Sequence, residues 1–409
     1  MTRERTEDKE SKQGRIEFNF PMVTIRIKVL NRVYDRLGAF RASRLVAWVA
    51  LIIVPIVAGF GLYLISTSLS TLLSNPAARE IGRELGPTAY ILLPGITPYL
   101  PILYGWMAIA SAFVVHEGAH GVIARSLGFK VKSSGLLFFL AIPIGAFVDV
   151  DEEQIKKAKA KDSSKVMAAG VGANIALAIV CVVGVLIITN GLTPVIDGVY
   201  IFEVAEGKPA EDAGLLVGDV FIRVDGIPVV KYEDLKAILE SKSPSDIVQV
   251  TVSRGKMWRD QFSTPVNLTE SEGRAILGVT VVEMLTEKRL TLYQELTPDS
   301  LYKYLIPPAL APGLVPFSDA LNTFYTHTLG ENWHITANIL FWVWFVNANV
   351  AIFNALPIYP LDGGRLFRIA SQSILGHRAD EKVISRLTYF VTLTLIFVLV
   401  VVAVLPFVA

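Results

Sequence analysis

The sequence predicts a polytopic α-helical membrane protein of about five to six spans plus a re-entrant segment, with a small α+β domain inserted between two groups of spans. Three observations predict it. Of 409 residues, 52% are hydrophobic and only 18% charged, and the mean hydropathy is positive, a composition suited to a bilayer. Long uncharged runs recur along the chain, each able to cross a hydrocarbon core at about 1.5 Å per helical residue. After Asn190-Gly191 the character changes to short alternating strands separated by Gly and Pro turns. The net charge of +1 argues against a nucleic-acid partner, and the single cysteine, Cys181, excludes an internal disulfide.

Residues 1–44 are polar and rich in Lys and Arg, with no short apolar stretch and cleavage site that would make them a signal peptide. Within them, Ile16 to Phe20 and Thr24 to Val29 alternate weakly and are expected to pair as strands, with no function attached. Leu45 to Ile65 is the first span. Thr88 to Pro101 is broken by Pro94, Gly95, Pro98 and Pro101 and reads as an interfacial loop, a short buried piece being the alternative. Ile102 to Ala124 is the second span. Gly135 to Val150 is apolar but too short to span as a helix, and Pro143 and Gly145 interrupt it. A re-entrant segment is then expected, with its backbone facing protein or a water cavity. The third span runs from Val166 to Ile188 and is entered through Gly170-Val171-Gly172-Ala173-Asn174, whose small residues permit close helix approach. Ile335 to Leu356 and Leu387 to Leu405 are the last two clear spans. Asn347, Asn349 and Asn354 are expected to face the protein interior.

The chemistry concentrates in His116-Glu117-Gly118-Ala119-His120, in the second half of the second span. On a helix, positions i and i+4 share a face, so both imidazoles reach one metal ion and Glu117 lies beside the water it binds. This is the layout of a zinc hydrolase with Glu117 as general base. Ionisable groups at bilayer depth are costly, so their presence there points to function. Asn354-Ala355-Leu356-Pro357-Ile358-Tyr359-Pro360-Leu361-Asp362-Gly363-Gly364-Arg365 closes the fourth span. Two histidines lack a third protein ligand, and Asp362, costly at this depth without a cation, supplies a suitable one. A plain N-cap role for Asp362 at the following helix is the alternative and is compatible with ligation. His327, His334 and His377 have no partner at ligand spacing and read as ordinary polar residues.

The inserted region resembles a PDZ domain over roughly Val195 to Val282. The matching pieces, in order, are Gly198-Val199-Tyr200-Ile201, Pro209 to Leu215, Gly218-Asp219 and Val224-Asp225-Gly226. Two roles are open to such a domain: taking an exposed chain end in a peptide groove beside Gly198, Val199, Tyr200 and Ile201, or acting as a size filter that excludes proteins with bulky outer domains, the filter being the favoured one. The resulting organisation is residues 1–44 as a cytoplasmic segment, 45–190 as the first membrane half, 195–282 as the PDZ-like domain, 283–332 as an interfacial linker and 333–409 as the second membrane half. Basic residues orient the chain: the N-terminus, the Lys156 to Lys165 cluster, and Arg365, Arg368, Arg378, Lys382 and Arg386 fall on one side, expected to be cytoplasmic. The N-terminus is then cytoplasmic and the PDZ-like domain extracytoplasmic, in a multi-pass protein of the cell membrane.

HEGAH in one span, NALPIYPLDGG in a later one and a PDZ-like insertion between them resemble the site-2 protease family of intramembrane zinc metalloproteases, over Ile102 to Ser373. The resemblance implies zinc held by His116, His120 and Asp362, with Glu117 catalytic and Asn354 assisting the substrate backbone or oxyanion. It also implies single-span membrane proteins as substrates, cut within or beside the membrane in regulated intramembrane proteolysis. One departure is Tyr359, where many members carry proline. The rival readings are a PDZ adaptor with a vestigial metal site, which has no need of Glu117, and a metal transporter, which would need ligand pairs on other spans.

Overall fold

The computed structural model describes residues 15–27, 30–140, 142–271, 273–284, 286–295, 297, 301–376 and 380–408. His377 and Arg378 lie outside them. The chain divides into two compact units, Met1–Gly184 with Ile339–Ala409, and Val185–Asn338.

Among the described residues, five helices are long and apolar enough to cross a membrane: α2 (Arg41–Ser74), α4 (Ile102–Ser126), α5 (Ala160–Asn190), α8 (Trp333–Ala355) and α10 (Glu381–Val408). Four of them contain an expected span whole and run past it, α2 the furthest, by nine residues beyond Ile65; α8 covers the fourth expected span except Leu356, where the helix has already ended. The stretch Thr88 to Pro101 is a run of turns and one short 3-10 helix, as an interfacial loop requires. It follows α3 (Pro76–Leu85), which Asn75 caps by accepting a 3.0 Å bond from the Ala77 N–H. Outward faces remain apolar: on α10, Phe390, Leu393 and Phe397 are each more than 60% exposed. A soluble protein does not tolerate that; a lipid-facing helix does. Inward faces are small, and Gly172 of α5 lies against Ala50 of α2, the close approach its composition allows.

The first unit also carries a four-stranded antiparallel sheet in the order β1 (Arg15–Asn19), β2 (Met22–Ile27), β3 (Val131–Phe139), β4 (Ile142–Val150). The two weakly alternating segments near the N-terminus do pair, with Ile16 opposite Ile25. β2 then pairs with β3, Ile25 opposite Leu136. The apolar stretch Gly135 to Val150 is therefore the body of the β3–β4 hairpin, and β4 is an edge strand. A short helix, α1 (Asn31–Gly38), packs its Tyr34 against Gly121 of α4 and bonds its hydroxyl to Ser134 of β3 at 3.1 Å.

The second unit is the PDZ-like domain with an ordered extension. Its main sheet runs β8 (Asp260–Asn267), β7 (Ile247–Arg254), β6 (Val220–Val224), β5 (Gly198–Val204), β9 (Val279–Met284), and α6 (Tyr232–Glu240) packs on it. Val199, Ile201, Phe221, Val248, Val250 and Val252 form its core, all fully buried. The Gly218-Asp219 motif has a structural cause: Asp219, 1% exposed, accepts two bonds from Arg254 at 3.0 and 2.6 Å. Asp225 and Gly226 both take positive φ in the β-hairpin turn after β6. The described residues of 283–332 belong to this unit. α7 (Thr286–Gln294) buries Tyr293 beside Phe317, and the Trp258 ring stacks on Phe324 at 4.4 Å.

Candidate metal centre and active site

The period of α4 puts His116 and His120 on one face, ring centroids 5.0 Å apart. Asp362 opens α9 (Asp362–Leu375), to which Leu361 is the cap, so the aspartate sits in the first turn. Its Oδ2 lies 3.1 Å from His116 Nε2 and 3.2 Å from His120 Nε2, with all three residues nearly buried. Gly363 and Gly364 make this approach feasible: a Cβ on either would run into the backbone of residues 355–359 at the end of α8. Opposite, Gly170 of α5 faces the imidazoles, and a Cβ there would stand 2.6 Å from both.

The protonation pattern argues for a cation. His120 Nδ1 donates to the Val166 carbonyl at 2.7 Å, which leaves Nε2 bearing a lone pair in the neutral ring. His116 Nδ1 lies 3.2 Å from the side-chain amide of Asn174, whose other polar atom, Oδ1, is buried without a partner. Turning that amide by half a turn gives Oδ1 a partner, with His116 Nδ1–H donating to it. Nε2 of His116 then also bears a lone pair. Asp362 Oδ2, buried and without a hydrogen bond, points at both. Three nearly buried acceptors within 4.8 Å of one another repel unless a cation lies among them. Two imidazoles and one carboxylate form the donor set of an open zinc site, so the residues fit the metal.

Glu117 is half-buried and turned toward β4, where its Oε2 accepts from the Val148 N–H at 2.9 Å. It lines a largely apolar cavity of about 780 Å³ bounded by Tyr34, Phe113, Phe147 and Ala169. A carboxylate anchored by one oxygen in the wall of a cavity, next in sequence to the ligand His116, can take and return a proton.

Other expected residues fall elsewhere. Asn354 is half-buried, its amide bonds back to the Val350 carbonyl at 3.0 Å, and no described hydrogen bond joins it to the histidines, Glu117 or Asp362. Asn347 does face inward, fully buried, and reaches Ser111 of α4 at 3.2 Å. Asn349 does not: it is exposed, because its amide is already satisfied by the Phe345 carbonyl one turn back. The groove expected beside Gly198, Val199, Tyr200 and Ile201 is corrected outright. β5 is an interior strand, paired on one side with β9 and on the other with β6, and Val199 and Ile201 are core. β9 is one open edge of the sheet, β8 being the other, and between β9 and α6 lies a cleft of about 510 Å³ lined by Lys208, Lys236, Lys242 and Arg274 together with Glu240; Lys236 pairs with Glu240 and Lys242 with Asp225. His327 and His334 serve local bonds, to the Leu329 N–H and the Glu331 carbonyl.

Gly170 and Asn174 were invisible as site residues in a stretch read only for helix packing. The one signal available was Asn174 itself, a polar side chain inside a span.

Comparison with known proteins agrees with this geometry. Residues 104–399 match the family model described as peptidase family M50. An uncharacterized protein of Methanocaldococcus jannaschii is 25% identical over 339 residues, 83% of this chain and 74% of that one. A protein of Clostridium perfringens provisionally named a zinc metalloprotease is 24% identical over 315 residues, 69% of this chain and 91% of its own. A chloroplastic membrane metalloprotease of Arabidopsis thaliana is 22% identical over 323 residues, 67% and 71% of the two chains. Among solved structures, the PDZ domain of an SdrC-like protein from Listeria monocytogenes is similar at 27% identity, covering 21% of this chain and 90% of that one with a TM-score of 0.20.

Proposed function

The chain belongs to peptidase family M50 and is a membrane zinc metalloprotease; on that premise we propose that it hydrolyses peptide bonds in or next to the transmembrane segments of single-span membrane proteins. The observation that carries the reading is the convergence of His116, His120 and Asp362 among membrane-spanning helices, with Glu117 open to an adjoining cavity.

Zinc, when bound by these three residues, supplies Lewis-acid polarisation of the scissile carbonyl and acidifies water. Glu117 accepts the proton of the attacking water at its carboxylate and delivers it to the departing amide nitrogen. His120 is held in the required tautomer by Val166, and His116 by Asn174. A helical substrate hides its backbone, so it must unwind; the free edge of β4 offers N–H and C=O groups for an extended stretch to pair with. Asn354 stands as a substrate-contacting residue on family resemblance alone.

The basic clusters support a cell-membrane protein with its N-terminus and metal site toward the cytoplasm and the PDZ-like domain outside. In that arrangement the domain cannot donate catalytic groups. It either excludes substrates with bulky outer domains or holds a peptide chain end. The open β9 edge favours the second role, with the cleft beside α6, where Lys208 and Arg274 lie, as the binding place.

The test uses the full-length protein reconstituted in liposomes with a membrane-spanning reporter. Cleavage within or beside the reporter's span is expected, with Glu117→Gln retaining zinc while losing activity by a factor of about 10² or more. Asp362→Ala should lose both zinc and activity. Cleavage of soluble peptides but of no spanning reporter would overturn the intramembrane reading, and full activity in Glu117→Gln would overturn the mechanism.

A further inference from the structure

We propose that the chain carries a separate binding site for a phosphate-bearing anion, at the membrane surface where α2 begins and α4 ends. Three arginines converge there. Arg41 and Arg44 lie in the first turn of α2, and Arg125 in the last turn of α4. Together with Asp35, Phe40 and Ser126 they line one cleft of about 440 Å³, largely polar where the cavity beside Glu117 is apolar.

The charges do not cancel. Among the described residues Asp35 is the only acid on the cleft, and it is taken by Arg125, whose Nε lies 3.1 Å from it. Among the described residues, Arg44 reaches only the Ser126 carbonyl, at 3.4 Å. Arg41 has no hydrogen-bond or ion-pair partner among the described residues. Three guanidinium groups against one carboxylate leave two positive charges facing one small space. The start of α2 adds to them: Phe40 caps it without a side-chain bond and its first turn holds no acid, whereas α3 is capped by Asn75. Basic residues at span ends are expected simply as topology signals. Those, however, need only lie on one side; nothing in that role brings three of them onto one cleft. Guanidinium forks match the oxygens of a phosphate group.

Two sources supply that chemistry, an anionic phospholipid headgroup and soluble phosphate. The surroundings point to the lipid. Immediately beyond the cleft, α2 presents Leu45, Trp48 and Val49, each 45% exposed or more, as an apolar wall on which acyl chains can lie.

The experiment titrates phosphatidylglycerol, phosphatidylcholine and inorganic phosphate separately into the full-length protein in neutral detergent, following the unfolding temperature. Phosphatidylglycerol should raise it saturably and phosphatidylcholine should not. Arg41→Gln with Arg44→Gln should weaken the apparent affinity about thirtyfold, taking about fivefold per charge. Arg36→Gln, which removes a charge from α1 outside the cleft, should leave it unchanged. If inorganic phosphate alone reproduces the rise and competes with the lipid, the site stands and its ligand is the soluble anion. A rise of equal size with phosphatidylcholine, or undiminished affinity in the double variant, would overturn the site. Glu117-dependent cleavage, measured alongside, is expected to persist in the double variant, so failure of this site is distinguishable from failure of the protease.

Discussion

Replacing Gly170 by alanine adds one methyl group to α5 and tests the metal centre more sharply than replacing a ligand. The new Cβ would lie 2.6 Å from His116 Cε1 and Nε2 and from His120 Nε2. Ordinary carbon contacts begin near 3.5 Å, so the imidazoles or α5 must yield by about 1 Å. The neighbours have little freedom: His120 is tied to Val166 and His116 to Asn174. Disturbing groups that orient metal ligands typically costs about 10- to 100-fold in affinity, or about 1.4 to 2.8 kcal/mol. The assay is zinc retained by purified protein against a graded chelator, with unfolding temperature recorded in parallel. Two other glycines calibrate it. Gly118→Ala meets nothing within 4 Å and should keep zinc, gaining up to about 1 kcal/mol of helix propensity. Gly172→Ala meets Ala50 rather than a histidine and should lower stability while sparing zinc affinity. Wild-type zinc affinity in Gly170→Ala would refute the placement of α5 against the ligands.

Three further outcomes follow from the same geometry. Asn174→Leu should lower zinc affinity about 10- to 100-fold, whereas Asn174→Asp, which keeps an acceptor toward His116 Nδ1, should retain more; equal zinc in both would remove the orienting role. Val148→Pro deletes the N–H that holds Glu117 and, on an edge strand, breaks no ladder bond of its own. It should lower kcat by about one to two orders of magnitude, the value of a hydrogen bond to a charged group, with zinc content unchanged; an unaltered kcat would show that Glu117 needs no such anchor. Reversing charge on the PDZ-like cleft by Lys236→Glu with Arg274→Glu should weaken binding of a peptide bearing a free carboxylate, measured by fluorescence anisotropy on the full-length protein, while Val282→Glu tests the strand edge itself. Undiminished binding in both would return the domain to a size-excluding role.

What the sequence made legible was local or chemically expensive. His116 and His120 declare themselves by spacing, and Asp362 by its cost at membrane depth. Tyr232 to Glu240, Val220 to Val224 and Ile247 to Arg254 have the expected bounds because period and turn residues agree there. Pairing between distant segments was not legible. Gly198 to Ile201 reads as a strand, but whether a strand is an edge depends on β9, some eighty residues later, and on β6. The same limit hid the β3–β4 hairpin: Pro143 and Gly145 spoil a helix, yet only the pairing of β2 with β3 turns that negative sign into a sheet. Asn349 escaped the rule for polar residues in spans because a carbonyl of its own helix satisfies it, a contact that any helix offers.

The four-stranded sheet also explains a segment to which the sequence attaches no role. A glutamate in a membrane helix needs a donor and some access to water. Glu117 has the first in Val148, and it lines a cavity beside β4. Val148 can serve only because β4 is an edge, with its N–H turned away from β3 and toward α4. Two strands alone would make a marginal hairpin. β1 and β2 extend it on the far side, at β3, so the sheet gains width without covering β4. α1, continuing from β2, then seats Tyr34 on Gly121 and bonds it to Ser134, tying the same sheet to the helix that bears both histidines. β1, β2 and α1 thus brace the strand that anchors the base and the helix that bears the histidines, and a truncation before Asn31 should cost activity before it costs zinc.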